Sequence, residues 1–173
     1  MYRVVAIIIF LGLFTSCNKE VQECYTPTNV PLIVGFRVID TMVAVDSLNR
    51  PDTTVAFRDT ALYFPVFQTK VKDTIYSFIG DRASTAMAVF LNPDTNFMQY
   101  ILQPNQDIAI FDTLNIRYEH KEHFISNDCG YTYFYDIKQI YGGGKRVLLD
   151  SFEVTNAEVS TSQKRNISVY FTD

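Results

Sequence analysis

The chain has 173 residues, 47% of them hydrophobic and 14% aromatic, with a formal net charge of −4. That length suits one ordinary domain with a real core. The acidic balance argues against nucleic acid as a partner and against a polybasic membrane surface, and the chain has no internal repeats or low-complexity tracts.

Arg3 is the only charge before an apolar segment, Val4 to Phe14 ("VVAIIIFLGLF"), which reads as the charged start and apolar middle of a secretory signal peptide. The segment is too short to span a bilayer, which takes roughly 20 apolar residues. It runs into "FTSC", small polar residues followed by Cys17. This ending resembles the lipobox of bacterial lipoproteins, with Phe14 standing where leucine is more usual. The resemblance implies a signal peptide over 1–16, cleavage before Cys17, and acylation of its thiol and new amine. Each buried CH₂ of such chains adds about 0.8 kcal/mol, so two or more chains anchor the protein stably to a membrane. An ordinary cleaved signal peptide, with Cys17 a plain thiol, is the alternative.

The stretch after Cys17 is polar and carries Pro27 and Asn29, so 17–30 reads as a lipidated tether. From Pro31 onward nearly everything reads as strand. "PLIVGFRVI" alternates, placing Leu32, Val34, Phe36 and Val38 on one face. Further β-rich runs are "TTVAF", "ALYFPVF", "DTIYSFI", "AMAVFL", "FMQYIL", "DTLNIRY", "GYTYFYDI", "VLLDSFEV" and "NISVYF". Turn chemistry separates them: "NRPD", "GDR", "NPDTN", "PNQD", "SNDCG" and "YGGGK". Short strands at such intervals predict an all-β domain over 31–173, an antiparallel β-sandwich of immunoglobulin-like or related type. The best helical candidate, "NAEVSTSQKR", reads as a loop or a single turn.

If Cys17 is acylated, the remaining cysteines are Cys24 and Cys129, an even pair in an exported, oxidising compartment, where a disulfide is the default. It would close a loop of roughly 105 residues and contribute on the order of 4 kcal/mol in the chain-entropy picture. Two buried free cysteines or a metal pair are the alternatives. The metal is disfavoured by a chain with two histidines and no Cys-x-x-Cys spacing.

The segment "DTLNIRYEHKEHFISNDCGYTYFYDI", with its closing "NISVYF" strand, the lipobox, a cysteine soon after it and the "PLIVGFRV" strand, resembles a family of uncharacterised Bacteroidota lipoproteins. The resemblance covers most of the mature chain and implies a β-sandwich lipoprotein without known catalytic residues. Cys24 and Cys129 fall on the family's two cysteine positions, which implies their pairing. The run "NKEVQE" matches only in part the acidic signal for surface export, so the face of the outer membrane is left open.

Few arrangements carry chemistry. His120 and His123 lie three apart, on opposite faces of a strand, so no shared metal is expected. "GGGK" lacks the phosphate-loop spacing and reads as a hairpin loop. Cys129-Gly130 has no histidine partner motif for a nucleophile. "NIS" at Asn166 matches an N-glycosylation acceptor but sits in a strand of a protein that looks bacterial. Tyr131, Tyr133 and Tyr135 share a face, suiting either core and cross-strand packing, the commoner use, or a binding surface. Tryptophan is absent, which weakens a sugar-stacking reading.

One pattern exceeds composition. Asp precedes Thr41, Ser47, Thr53, Thr60, Thr74, Thr95, Thr113 and Ser151. Apart from Thr95 and Ser151, these sites resemble the Asp-Ser/Thr-apolar O-glycosylation signal of exported Bacteroidota proteins. Turn-and-strand propensity explains them equally well. The expectation is therefore a non-catalytic outer-membrane lipoprotein with no cofactor and no metal. It acts as an accessory subunit that docks onto an integral barrel protein by a sheet edge or an aromatic face, with Tyr133 and Tyr170 as candidate contacts. A surface glycan-binding module is the alternative, and a hydrolytic enzyme comes third.

Overall fold

The computed structural model describes residues 29–45, 50–107, 109–127, 129–143 and 149–172. The described residues form thirteen strands and no helix: β1 (Pro31–Val45), β2 (Pro51–Asp59), β3 (Leu62–Tyr63), β4 (Val66–Val71), β5 (Thr74–Ile79), β6 (Arg82–Ser84), β7 (Ala86–Phe90), β8 (Phe97–Gln103), β9 (Asp112–Ser126), β10 (Gly130–Gly143), β11 (Leu149–Val154), β12 (Glu158–Val159) and β13 (Arg165–Thr172). One sheet runs β11-β13-β1-β2, with β7 also on β1; the other runs β12-β10-β9-β8-β4-β5; β3 and β6 form a small third sheet. The two large sheets pack face to face as a β-sandwich.

Period-2 alternation builds the core. Leu32, Val34 and Phe36 are fully buried and Val38 nearly so, as their spacing predicts, facing Met98, Tyr100 and Leu102 of β8 and Leu114, Ile116 and Tyr118 of β9. Phe36 ties the sheets together. Its ring lies 6.3 Å from Phe67 of β4, stacked, and 6.3 Å from Phe171 of β13, edge-on, while Phe67 meets Tyr100 at 6.1 Å. It is also where β1 changes partner: Pro31–Gly35 pair with β7 and Arg37–Val45 with β2. The Phe36 amide donates to Thr85 and its carbonyl accepts from Thr60, so no ladder group is lost at the switch.

Four features differ from the sequence reading. The pairing of β1 with β13 is parallel, with Phe36 opposite Val169, a relation between chain ends that no local pattern reports. β13 is consequently central, and Asn166 to Phe171 are buried on both faces. "ALYFPVF" is two strands: Phe64 takes φ 48° before Pro65, and the chain crosses from β3 to β4 in the other sheet. β9 runs past its apolar core into "EHKEHFIS", which pairs with β10 beyond the reach of β8, and β10 runs on through "YGG", which pairs back with Asn115 to Thr113 of β9.

Candidate functional site

Cys17, Cys24 and Ser47 lie outside the described residues. Cys129 sits half-buried in the turn before β10, its amide accepted by the Ser126 hydroxyl at 3.1 Å. It is disulfide-bonded, and the other half of the bond is outside the described residues. Among the Asp-Ser/Thr positions, Thr41, Thr53, Thr74 and Thr95 are exposed, whereas Thr60, Thr113 and Ser151 are half-buried. Thr41 pairs with Val55 and Val43 with Thr53, so both threonines share one face of the β1–β2 ribbon with exposed valines.

The tyrosine stripe is graded: Tyr131 is exposed, Tyr133 half-buried against the core, and Tyr135 buried. Tyr170 corrects the sequence reading, because its ring is not presented to solvent. It is 5% exposed, held edge-on against Phe57 at 5.2 Å with the Arg37 guanidinium 5.7 Å from its centroid, and its hydroxyl donates to Glu153 at 2.8 Å. The side chains of Arg37, Phe57 and Glu153, on β1, β2 and β11, cover the face of β13 that carries Tyr170. Beside it, Arg165 crosses over Gly35 and grips Asp59 through two nitrogens at 2.8 and 3.0 Å, which holds the Asp59 carboxyl below the usual range. His120 and His123 meet different rings, Tyr133 at 5.7 Å and Phe134 at 4.3 Å, and the described residues contain no group of three or more metal-ligating side chains. Asn166 is buried with its amide fully committed, accepting from Ile33 and donating to the carbonyls of Asn156 and Glu158, which leaves nothing for a glycan.

Three tyrosines from adjacent strands converge on consecutive carbonyls at and just past the end of β7. Tyr100 donates to Phe90 at 2.6 Å, Tyr135 to Leu91 at 3.1 Å and Tyr118 to Asn92 at 2.7 Å. The clamp satisfies the carbonyls of the last β7 residue and of the two that follow it, and fixes the segment Phe90–Pro93. Burial raises all three phenols, Tyr135 to about 12 and Tyr100 further, and outweighs the hydrogen bonds that favour ionisation of Tyr118. Unfolded tyrosine titrates near 10. The clamp's stabilisation is therefore complete below about pH 10 and declines as pH rises toward 12, where the unfolded chain releases protons that the fold retains. We expect unfolding midpoints to drop between pH 10 and 12 and the drop to be shallower in Tyr135→Phe. A flat profile for the wild-type chain across that window would contradict the clamp.

Two hollows flank the clamped segment. One, of about 530 Å³, lies toward the β4–β5 hairpin and is lined by Lys72, Thr74, Tyr76, Asn92 and Asp94 over apolar side chains. The other, of about 350 Å³, lies toward β10, between Phe90, Pro93, Tyr131 and Tyr133, with Asn29 and Val30 at its margin.

An unpaired backbone edge belongs to β5. Among the described residues it closes the six-stranded sheet and pairs with β4 alone, in regular register without a bulge. Natural edges are blunted by lysine, proline, bulges or shortness. Thr74–Ile79 ("TIYSFI") has no charge and no proline, and Ile75, Tyr76 and Ile79 are 66%, 48% and 63% exposed. "DTIYSFI" is recognisable as a strand from its residues; its place at an edge follows from topology, which is why sequence reasoning did not single it out.

No curated protein and no solved structure matches the chain. Residues 66–171 match the family of unknown function DUF6452. That span carries β4 to β13 apart from the last residue and includes the tyrosine clamp and the β5 edge, while β1, which pairs with β2, β7 and β13, precedes it. With more than half of its 173 residues in the match, the chain belongs to the family of unknown function DUF6452.

Proposed function

We propose that this protein is a non-catalytic, lipid-anchored subunit of a bacterial outer-membrane assembly, held to the membrane through Cys17 and docked by its β5 edge onto an integral barrel protein. The uncharged, one-sided β5 strand with Ile75, Tyr76 and Ile79 exposed is the observation that supports it. Strand addition supplies main-chain hydrogen bonds for affinity and alternate side-chain contacts for specificity. A closed barrel has no spare edge of its own, so the added strand comes from an extended loop of the partner. A short lipidated tether keeps the domain beside the bilayer, where high effective concentration favours even a modest interface. In this reading the bond of Cys129 runs to Cys24, and the Thr41 and Thr53 face of the β1–β2 ribbon, when glycosylated, is kept clear of the partner.

The test is a tagged isolation from gently solubilised host membrane. We expect one integral membrane protein to be recovered near one to one with the wild-type chain and lost with Ile75→Lys plus Ile79→Lys, which charges the edge without touching the core. The Cys17→Ala chain should appear in the soluble fraction. Recovery of the same protein by the doubly charged edge variant would reject docking through β5.

A second reading is favoured by the 530 Å³ hollow, whose size is ordinary for a small-ligand site and whose Tyr76 ring and polar rim suit a saccharide. It predicts saturable retention on a polysaccharide column that Tyr76→Ala abolishes and the Ile75 and Ile79 changes leave intact.

A further inference from the structure

We infer that the 530 Å³ hollow beside β5 is the side-chain pocket for the strand added there, and that this strand is an uncharged peptide segment with apolar residues opposite Tyr76 and Phe78. The inference rests on the β5 docking of the proposed function and goes beyond it by fixing which residues of the partner face inward. The β4–β5 hairpin turns through Lys72 and Asp73, and its register runs from Val71 opposite Thr74 to Val66 opposite Ile79. One step further, the Gly80 amide donates to the Pro65 carbonyl at 2.8 Å. Directly opposed residues in an antiparallel ladder alternate between bonded and non-bonded pairs. With no bulge to shift the phase, Phe78, Tyr76 and Thr74 are the bonded partners of Phe67, Thr69 and Val71. Ile75, Ser77 and Ile79 turn their N–H and C=O groups the other way, and no described residue pairs with them there.

Side chains alternate with the same period. Thr74, Tyr76 and Phe78 line the hollow, while Ile75 and Ile79 stand exposed on the opposite face. Across the hollow, the ring of Phe90, at the end of β7, lies 6.1 Å from that of Phe78. A strand bonded to Ile75, Ser77 and Ile79 meets Tyr76 and Phe78 through non-bonded pairs, the closer kind, with Cα atoms about 4.5 Å apart. The side chains at those positions share the face of Tyr76 and Phe78 and so project over the hollow. Apolar groups there cover Tyr76 and Phe90, which are otherwise 48% and 42% exposed. Thr74–Ile79 carries no charge, and Lys72 and Asp94 at the hollow have opposite charges, so the occupant needs no net charge. A saccharide in the hollow would leave the outward N–H and C=O groups of β5 unused, whereas an extended peptide uses both the edge and the pocket.

The experiment uses the full chain in native host membrane. The photo-reactive residue p-benzoylphenylalanine replaces Tyr76, on the hollow, or Ile75, on the opposite face, and each adduct is mapped to the partner residue captured. Both positions should capture one uncharged segment of the same integral membrane protein, at residues an odd number apart, because neighbouring side chains of a strand face opposite ways. Two substitutions are then read by co-isolation: Ser77→Pro removes an outward N–H that β4 does not use, and Thr74→Trp fills the hollow. Each should cut recovery of that protein several-fold and leave the thermal unfolding midpoint within a few degrees of wild type. With the Ile75 adduct present, capture of a different segment or of a saccharide from Tyr76, or recovery untouched by Thr74→Trp, would overturn the pocket and leave β5 docking in place. Absence of the Ile75 adduct, with recovery untouched by Ser77→Pro, would overturn both.

Discussion

Phe36→Ala is expected to lower the unfolding free energy by about 3–5 kcal/mol, which would leave a domain of ordinary stability, roughly 5–15 kcal/mol, only marginally folded. Phe36 is fully buried and its ring is shared between Phe67 of one sheet and Phe171 of the other. Its backbone closes the changeover from β7 to β2, so the cavity opens at the point where β1 is least able to collapse around it. Denaturant unfolding measures the loss. A change below about 1 kcal/mol would mean that the sheets are not held together through this ring.

Asn166→Ala ranks next, with an expected loss of roughly 2–4 kcal/mol from the three backbone partners it would abandon in a buried site. Its side-chain oxygen accepts from Ile33, across the parallel β1–β13 pair, and its nitrogen donates to Asn156 and Glu158, which lead into and form β12. Asn166→Asp keeps the acceptor but removes the two donations and buries a charge, so it should be no better tolerated. Both variants can be compared by chemical unfolding. Wild-type stability in Asn166→Ala would show that water replaces all three bonds.

Strands were legible wherever one face is buried. Leu32, Val34, Phe36 and Val38 alternate cleanly, and so do Met98, Tyr100 and Leu102, because each faces the core while its neighbours face out. Alternation fails where neither face or both faces are covered. The ends of β9 and β10 carry charged residues such as Lys121 and Glu122 on a projecting hairpin with little core to pattern them. In β13, Ser168 and Tyr170 are as buried as Ile167 and Val169, since β1 and β11 flank the strand and Arg37 and Phe57 lie over its outer face. Polar residues in that strand therefore mark hydrogen-bonding duties, as with Asn166, and an outward tyrosine there is a packed one. The parallel pairing of β1 with β13, the carbonyl clamp of Tyr100, Tyr118 and Tyr135, and the edge position of β5 all depend on which strands become neighbours. Sequence spacing carries no record of that order.

The most direct measurement of docking through β5 is photo-crosslinking in the native host membrane, with p-benzoylphenylalanine placed at Ile75 on the edge strand or at Val55 on the β1–β2 ribbon, both more than half exposed. One discrete adduct is expected between the Ile75-labelled chain and an integral membrane protein, and none from Val55. An adduct from Val55 alone, an Ile75 adduct with a second copy of this chain, or no adduct from either position would contradict it.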